Sequence, residues 1–164
     1  MIKALLIACL IALPTGAFAE WKVERGSKLM SLRDDPVGTI AKLPAKAPYH
    51  GVSAFLQIEC FVHPEVGGRT FGIVLSKPTT TGAISWRYQF DNGPVVQRGP
   101  YTRLSLTVIG LGDFTQDEFK GLVHAKRFRL TLLPRQSEEL PFDFDVTGVA
   151  EAINKVPCKE IIRH

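Results

Sequence analysis

A two-residue alternation of apolar and polar side chains recurs along this chain and indicates a β-rich fold, because alternate residues of a strand share one face. The strongest example is residues 84–90, in which Ile84, Trp86, Tyr88 and Phe90 are all large and apolar. Related patterns predict strands over 21–25, 54–62, 70–76, 95–98, 102–109, 127–133 and 140–146. We therefore expect a mainly antiparallel β-sheet or sandwich, with a meander of strands up to residue 109.

Two helices are expected among these strands. Thr115 followed three residues later by Glu118 predicts a capping box, and Phe114 and Phe119 on either side of it predict a hydrophobic staple. A second helix is predicted from about residue 148 to residue 155, and Pro157 ends it. The predicted fold class is therefore α+β, with a middle helix and a C-terminal helix.

Glycine and proline mark the predicted connections. Asn92-Gly93 is typical of a tight hairpin turn, and Pro94 after it predicts a short edge strand because proline cannot donate a ladder hydrogen bond. Residues 39–51 contain Pro44, Pro48 and Gly51 and are predicted to be an irregular connection. Residues 63–68 are predicted to form a turn, and Asp34-Asp35-Pro36 a loop.

The first nineteen residues have the pattern of an export signal. Lys3 precedes an apolar run over 4–13, and Ala17-Phe18-Ala19 has the small-x-small pattern of a cleavage site. The alternative, a lipoprotein signal acylated at Cys9, leaves an apolar run that is shorter than export usually needs. The sequence therefore predicts a signal peptide over 1–19 and one β-rich periplasmic domain over 20–164, without a stable membrane anchor after cleavage.

Removal of residues 1–19 leaves 145 residues with 19 Lys+Arg, 16 Asp+Glu and a net charge of +3. This surplus is spread along the chain, so it does not indicate nucleic-acid binding. Removal also leaves two cysteines, Cys60 and Cys158. In an oxidising compartment such a pair predicts a disulfide that joins the C-terminal segment to the central sheet.

Motifs for catalysis or metal binding are not evident in the sequence. The four histidines are widely separated, no Gly-x-Ser-x-Gly elbow occurs, and neither a metal nor a cofactor is expected. Paired carboxylates occur at Asp34/Asp35 and at Asp143/Asp145. If 127–133 pairs with 140–146, Arg127 and Arg129 meet the second pair on one outer face, as on an ordinary charged sheet surface.

The order of several motifs resembles a group of small exported proteobacterial proteins, whose best-known branch is the periplasmic accessory protein associated with type VI secretion. The motifs are Trp21, the segments 31–35, 56–60, 86–91 and 142–148, and a last helix ending at Cys158. The aromatic-Arg-aromatic-x-x-Asp segment, which contains Arg87 and Asp91, is the most distinctive. The resemblance implies a periplasmic β-rich domain with one bridge and no established catalytic residues.

The leading hypothesis is a non-enzymatic periplasmic accessory or binding protein that contacts another envelope protein or a cell-wall component. Its candidate binding surface comprises Arg87, Gln89, Asp91 and Arg98, which flank the Asn-Gly hairpin. One alternative is an envelope hydrolase that uses Asp143, Asp145 and a histidine, and this requires a strongly perturbed carboxylate in a cleft. Another alternative is an inhibitor of an exogenous enzyme that presents the loop at 62–69.

Overall fold

The computed structural model describes residues 20–25, 39–62, 67–78, 84–101, 107–112, 114–135 and 137–156. In these residues the chain forms nine strands in two antiparallel sheets, together with two short helices. The prediction of a mainly antiparallel β-fold is confirmed. Side chains from both sheets share one hydrophobic core, as in a β-sandwich or an α+β domain.

The first sheet has five strands. In spatial order they are β1 (Lys22–Arg25), β2 (Thr39–Pro44), β3 (Ala54–Val62), β4 (Gly67–Leu75) and β7 (Val108–Gly112). The second sheet has four strands, in the order β6 (Val96–Tyr101), β5 (Ile84–Phe90), β8 (Arg127–Pro134) and β9 (Leu140–Asp145). Every neighbouring pair is antiparallel.

The expected meander is wrong beyond β4. The chain leaves the first sheet after β4, forms the β5–β6 hairpin in the second sheet and returns to pair β7 with β4. The strands β8 and β9 then extend the second sheet from β5. This order places the apolar row of β5 opposite the first sheet, so that both sheets bury one face in a shared core.

The structure corrects two predicted connections. Thr39–Pro44, predicted as part of an irregular connection, is the strand β2 between β1 and β3. Ile40 and Ala41 are adjacent and both fully buried, so β2 lacks the alternation that identifies a half-exposed strand. The predicted turn at 63–68 is wrong for Gly67 and Gly68, which begin β4, while 63–66 lie outside the described residues.

Both predicted helices are present. The helix α1 spans Gln116–His124, and its capping box is formed as predicted. The Thr115 hydroxyl accepts a hydrogen bond from the Glu118 amide at 3.3 Å, and the Glu118 carboxylate accepts one from the Thr115 amide at 2.7 Å. The helix α2 spans Val149–Asn154 and buries Val149, Ala152 and Ile153.

Aromatic rings fill the part of the core next to α1. Phe114 lies 4.8 Å from Phe71 between ring centroids, and Phe119 lies 6.1 Å from it. Phe114 also lies 5.8 Å from Tyr88. The helix α1 is thus held by ring packing against both sheets, and this packing fixes its position relative to the β5–β6 hairpin.

Several predictions fall outside the described residues, namely the signal peptide at 1–19, the loop at 34–36, strand residues 102–106 and the bridge partner Cys158. No helix in the described ranges is long and apolar enough to span a bilayer.

Candidate functional site

The four nominated surface residues lie on opposite faces of the β5–β6 hairpin. Along β5, Trp86 and Tyr88 are buried, and Arg87 and Gln89 therefore point to the outer face of the second sheet. In the register of the hairpin, Arg98 is the partner of Trp86. Directly paired residues share a face, so Arg98 lies on the core side, away from Arg87 and Gln89. The nominated residues do not form one patch.

The residues on the outer face are engaged in local contacts. The Arg87 guanidinium pairs with the Glu139 carboxylate. The Gln89 side-chain amide donates to the Gly93 carbonyl at 2.7 Å and so closes the hairpin loop. Each of these side chains therefore has a partner within the chain for at least one of its donor groups.

Asp91 fastens the hairpin turn to the start of β8. Its carboxylate accepts hydrogen bonds from the backbone amides of Lys126, at 3.1 Å, and Arg127, at 2.9 Å. The Asp91 carbonyl accepts a further bond from Arg129. The turn is centred one residue earlier than the predicted Asn92-Gly93 turn. Asp91 has a positive φ of 46°, and the Gly93 amide donates to the Phe90 carbonyl at 2.8 Å. Asp91 therefore has a structural role.

Arg98 belongs to a partly buried network that we call the hairpin–helix junction, defined as Tyr88, Arg98, Thr115 and Glu118. The Tyr88 hydroxyl and the Arg98 guanidinium both donate to Oε1 of Glu118, while Oε2 accepts from the Thr115 amide. The junction therefore joins β5, β6 and the first turn of α1 through one carboxylate.

The electrostatics of the junction follow from these donors. Burial acts to raise the pKa of Glu118, but hydrogen bonds from Arg98, Tyr88 and Thr115 outweigh it and lower the pKa to about 2. Burial, and then the bond to the Glu118 carboxylate, raise the pKa of Tyr88 far above its ordinary value. Glu118 is thus a carboxylate and Tyr88 a phenol throughout the physiological range.

An apolar groove of about 230 Å³ lies beside the junction, between the hairpin and α1. Tyr88 and Phe90 line it from β5, and Gly93, Pro94 and Val96 line it from the hairpin turn and β6. Asp117 and Glu118 line it from α1. Val95, next to this groove in sequence, is 61 % exposed. Apolar surface therefore reaches solvent where the edge strand β6 begins.

The paired aspartates of β9 lie in a different arrangement. Arg129 is opposite Asp143 in the register, and Arg127 is opposite Asp145. The Arg127 Nε atom donates to both Asp143 oxygens, at 3.0 and 2.8 Å. A hydrogen bond from the Thr147 side chain lowers the pKa of Asp145, and the Thr147 backbone amide lies 3.1 Å from its Oδ1. The lowered pKa of Asp145 does not suit a general acid, and the Asp143 carboxylate is engaged by Arg127.

His50, one of the described histidines, contacts a carboxylate other than Asp143 and Asp145. His50 Nδ1 lies 3.3 Å from Glu138 Oε2, and the Tyr49 hydroxyl donates to the same carboxyl group at 2.9 Å. Across the described ranges, no three His, Cys, Asp or Glu side chains converge as metal ligands. The loop of the inhibitor hypothesis lies largely at 63–66, outside the described residues.

Two features of the structure are not predicted by the sequence. Glu118 was identified only as a capping residue, and its contact with Arg98 joins residues 20 positions apart on different elements. The buried pair Gln57 and Glu59, 0 % and 2 % exposed, lies on the face of β3 opposite Leu56 and Ile58. The strand period gives no signal for this burial, because polar residues on that face are expected to meet water.

Comparison of the chain with protein-family models, with curated proteins and with solved structures finds no match. The resemblance to the type VI secretion accessory group therefore stays a prediction.

Proposed function

We propose that this chain is a non-enzymatic periplasmic accessory or binding protein that acts by contacting another envelope component. The contacting surface is the exposed end of the β5–β6 hairpin together with the first turn of α1. The observation that carries the proposal is the exposure of Val95, which lies in sequence between the groove residues Pro94 and Val96 and directly before the edge strand β6. Exposed apolar surface next to a groove is typical of a protein-binding site.

The organisation of the other polar residues supports a binding role. Arg87, Asp91 and Arg98 each contact a partner within the chain, and these contacts hold the hairpin in place. These three residues thus stabilise the hairpin that carries the proposed contacting surface. In this proposal the domain is a β-sandwich that is exported by its signal peptide and joined by a Cys60–Cys158 bridge.

Site-specific photo-crosslinking in cells tests the proposal. A photoreactive phenylalanine analogue replaces Val95 in one strain, and the same analogue replaces the exposed Glu151 of α2 in a control strain. We expect one envelope protein to crosslink from position 95 and not from position 151. Absence of adducts at position 95, or identical adducts at both positions, would contradict the proposal. Crosslinking to cell-wall material alone would show that the partner is a wall component and not a protein.

The export and bridge parts of the proposal have a separate test. Mass spectrometry of the protein from periplasm is expected to find a chain that begins at Glu20. Peptide mapping without reductant is expected to recover the Cys60 and Cys158 peptides joined. Two free, alkylatable thiols would overturn the bridge, and recovery of the uncleaved chain would overturn the signal peptide.

A further inference from the structure

The groove beside the hairpin–helix junction has apolar walls and an acidic rim. Tyr88 and Phe90 form one side from β5, and Pro94 and Val96 form another from the hairpin. The charged residues among its described lining are Asp117 and Glu118, both acidic. A volume of about 230 Å³ is enough for one large side chain but too small for a typical cofactor.

The groove is held in shape before any ligand arrives. Phe90 packs so closely on α1 that a Cβ atom at Gly121 would lie 3.1 Å from its ring. Tyr88, on the same strand, is fixed by its hydrogen bond to Glu118. A preformed groove requires little ordering of the protein on binding, so a small apolar group is enough to occupy it.

The charge of the rim selects the ligand. The Asp117 side chain is 95 % exposed, and the Lys120 Nζ atom lies 3.8 Å from its carboxylate in the same helix. This exposed ion pair is weak, so the Asp117 carboxylate remains accessible to a cation of a ligand. The charge of Glu118 is already paired with the Arg98 guanidinium, so Asp117 is the groove carboxylate that a cation of a ligand can contact.

We infer that the groove binds an apolar side chain that is followed by a lysine or arginine in a segment of an envelope partner. The apolar side chain lies between the hairpin and α1, and the cation contacts Asp117. The inference rests on the proposed function for the identity of the partner, but the groove and its charge preference are properties of the purified chain.

A matched pair of peptides tests this inference on the purified mature protein. Acetyl-Phe-Lys-amide and acetyl-Phe-Glu-amide present the same ring with opposite charges, and NMR titration of ¹⁵N-labelled protein measures both. We expect the lysine peptide to bind at least fivefold more tightly and to shift the amides of residues 93, 95, 96 and 117–118. The Asp117→Asn variant is expected to reduce the preference below twofold, and the control variant Glu151→Gln to retain it.

Three results would overturn the inference: no shifts near the groove with either peptide, equal affinity for the two peptides, or an unchanged preference in the Asp117→Asn variant. This failure is distinguishable from failure of the proposed function. If the peptides bind but position 95 gives no crosslink, the proposed envelope partner is contradicted and the inference about the groove stands. If position 95 gives a crosslink but the peptides do not bind, the inference about the groove is contradicted and the proposed partner stands.

Discussion

Glu118 at the hairpin–helix junction and Glu59 on β3 are two largely buried glutamates with opposite surroundings. The Glu118 side chain is 12 % exposed, and its carboxylate accepts hydrogen bonds from a guanidinium, a phenol and a backbone amide. Glu59 is 2 % exposed, and its described hydrogen bond comes from the Gln57 amide at a distance of 3.4 Å. Burial raises the pKa of Glu59, and the Gln57 bond offsets only part of this effect.

The difference shows that the hydrogen-bond donors around a buried carboxylate, more than its degree of burial, determine whether it stabilises the fold. Glu118 is charged and stabilises the position of α1 against the hairpin. Glu59 lacks comparable donors among the described residues, and the Oε1 atom of Gln57 beside it is buried without a hydrogen-bond partner. A carboxylate in this state destabilises the folded chain once it ionises.

Removal of the junction carboxylate should give the largest effect. Glu118→Ala removes the capping box and leaves Tyr88 and Arg98 without their acceptor, so we expect a loss of about 2–3 kcal/mol in the free energy of unfolding. Urea denaturation at pH 7 measures the loss. A change below about 0.5 kcal/mol would show that the junction does not position α1.

The same residue predicts an acid-sensitive contribution to stability. The pKa of Glu118 is about 2 in the folded chain and near 4.5 when unfolded, so its contribution is complete above pH 4.5 and is lost as the pH falls towards 2. The stability difference between wild type and Glu118→Gln should therefore shrink over this range. A difference that is constant from pH 7 to pH 2.5 would contradict the assignment.

A smaller loss is expected from the hairpin turn next to the junction. Asp91→Ala leaves the amides of Lys126 and Arg127 without their side-chain acceptor and places alanine at positive φ. We expect a loss of about 1–2 kcal/mol, measured by denaturation. Asp91→Asn is the matched control because asparagine keeps one acceptor oxygen and tolerates this backbone conformation. Equal losses in the two variants would exclude the hydrogen bonds as the cause.

The opposite sign is expected at β3. A raised carboxyl pKa means that Glu59 favours folding most at pH values below its ordinary pKa of 4.5, and that this contribution is lost as the pH rises through the folded value. Glu59→Gln cannot ionise, so it should stabilise the chain by about 1 kcal/mol at pH 8 and by less at pH 4. Destabilisation at pH 8 would indicate that the ionised Glu59 carboxylate has a stabilising partner. The proposed difference between Glu59 and Glu118 would then be wrong.

The smallest loss of stability is expected from the exposed ion pair between Arg127 and Asp143 on the outer face of the second sheet. The Arg127 and Asp143 side chains are 47 % and 29 % exposed, so water and salt screen their attraction. Arg127→Ala should reduce the free energy of unfolding by less than any of the other destabilising variants, and this loss should fall further in 1 M NaCl. A loss as large as that of Asp91→Ala would mean that the outer face also stabilises the hairpin.

Local patterns in the sequence predicted much of the fold. The strands β3, β5, β8 and β9 and the capping box at Thr115 all follow from spacing between nearby residues. The strand β2 was missed because its burial on both faces removes the alternating pattern. The nominated binding residues do not form one surface, because the register of β6 places Arg98 on the core side. That register depends on the turn and on an irregularity near Ile84 and Trp86, which the spacing of nearby residues does not predict.

The most direct measurement is NMR of the ¹⁵N-labelled mature protein in unlabelled periplasmic extract, because it compares every face of the chain at once. We expect the amide signals of 93, 95–99 and 116–120 to broaden selectively as the extract is added, while those of β8 and β9 stay sharp. Broadening confined to the outer face of β8 and β9, with the hairpin–helix junction unaffected, would contradict this expectation.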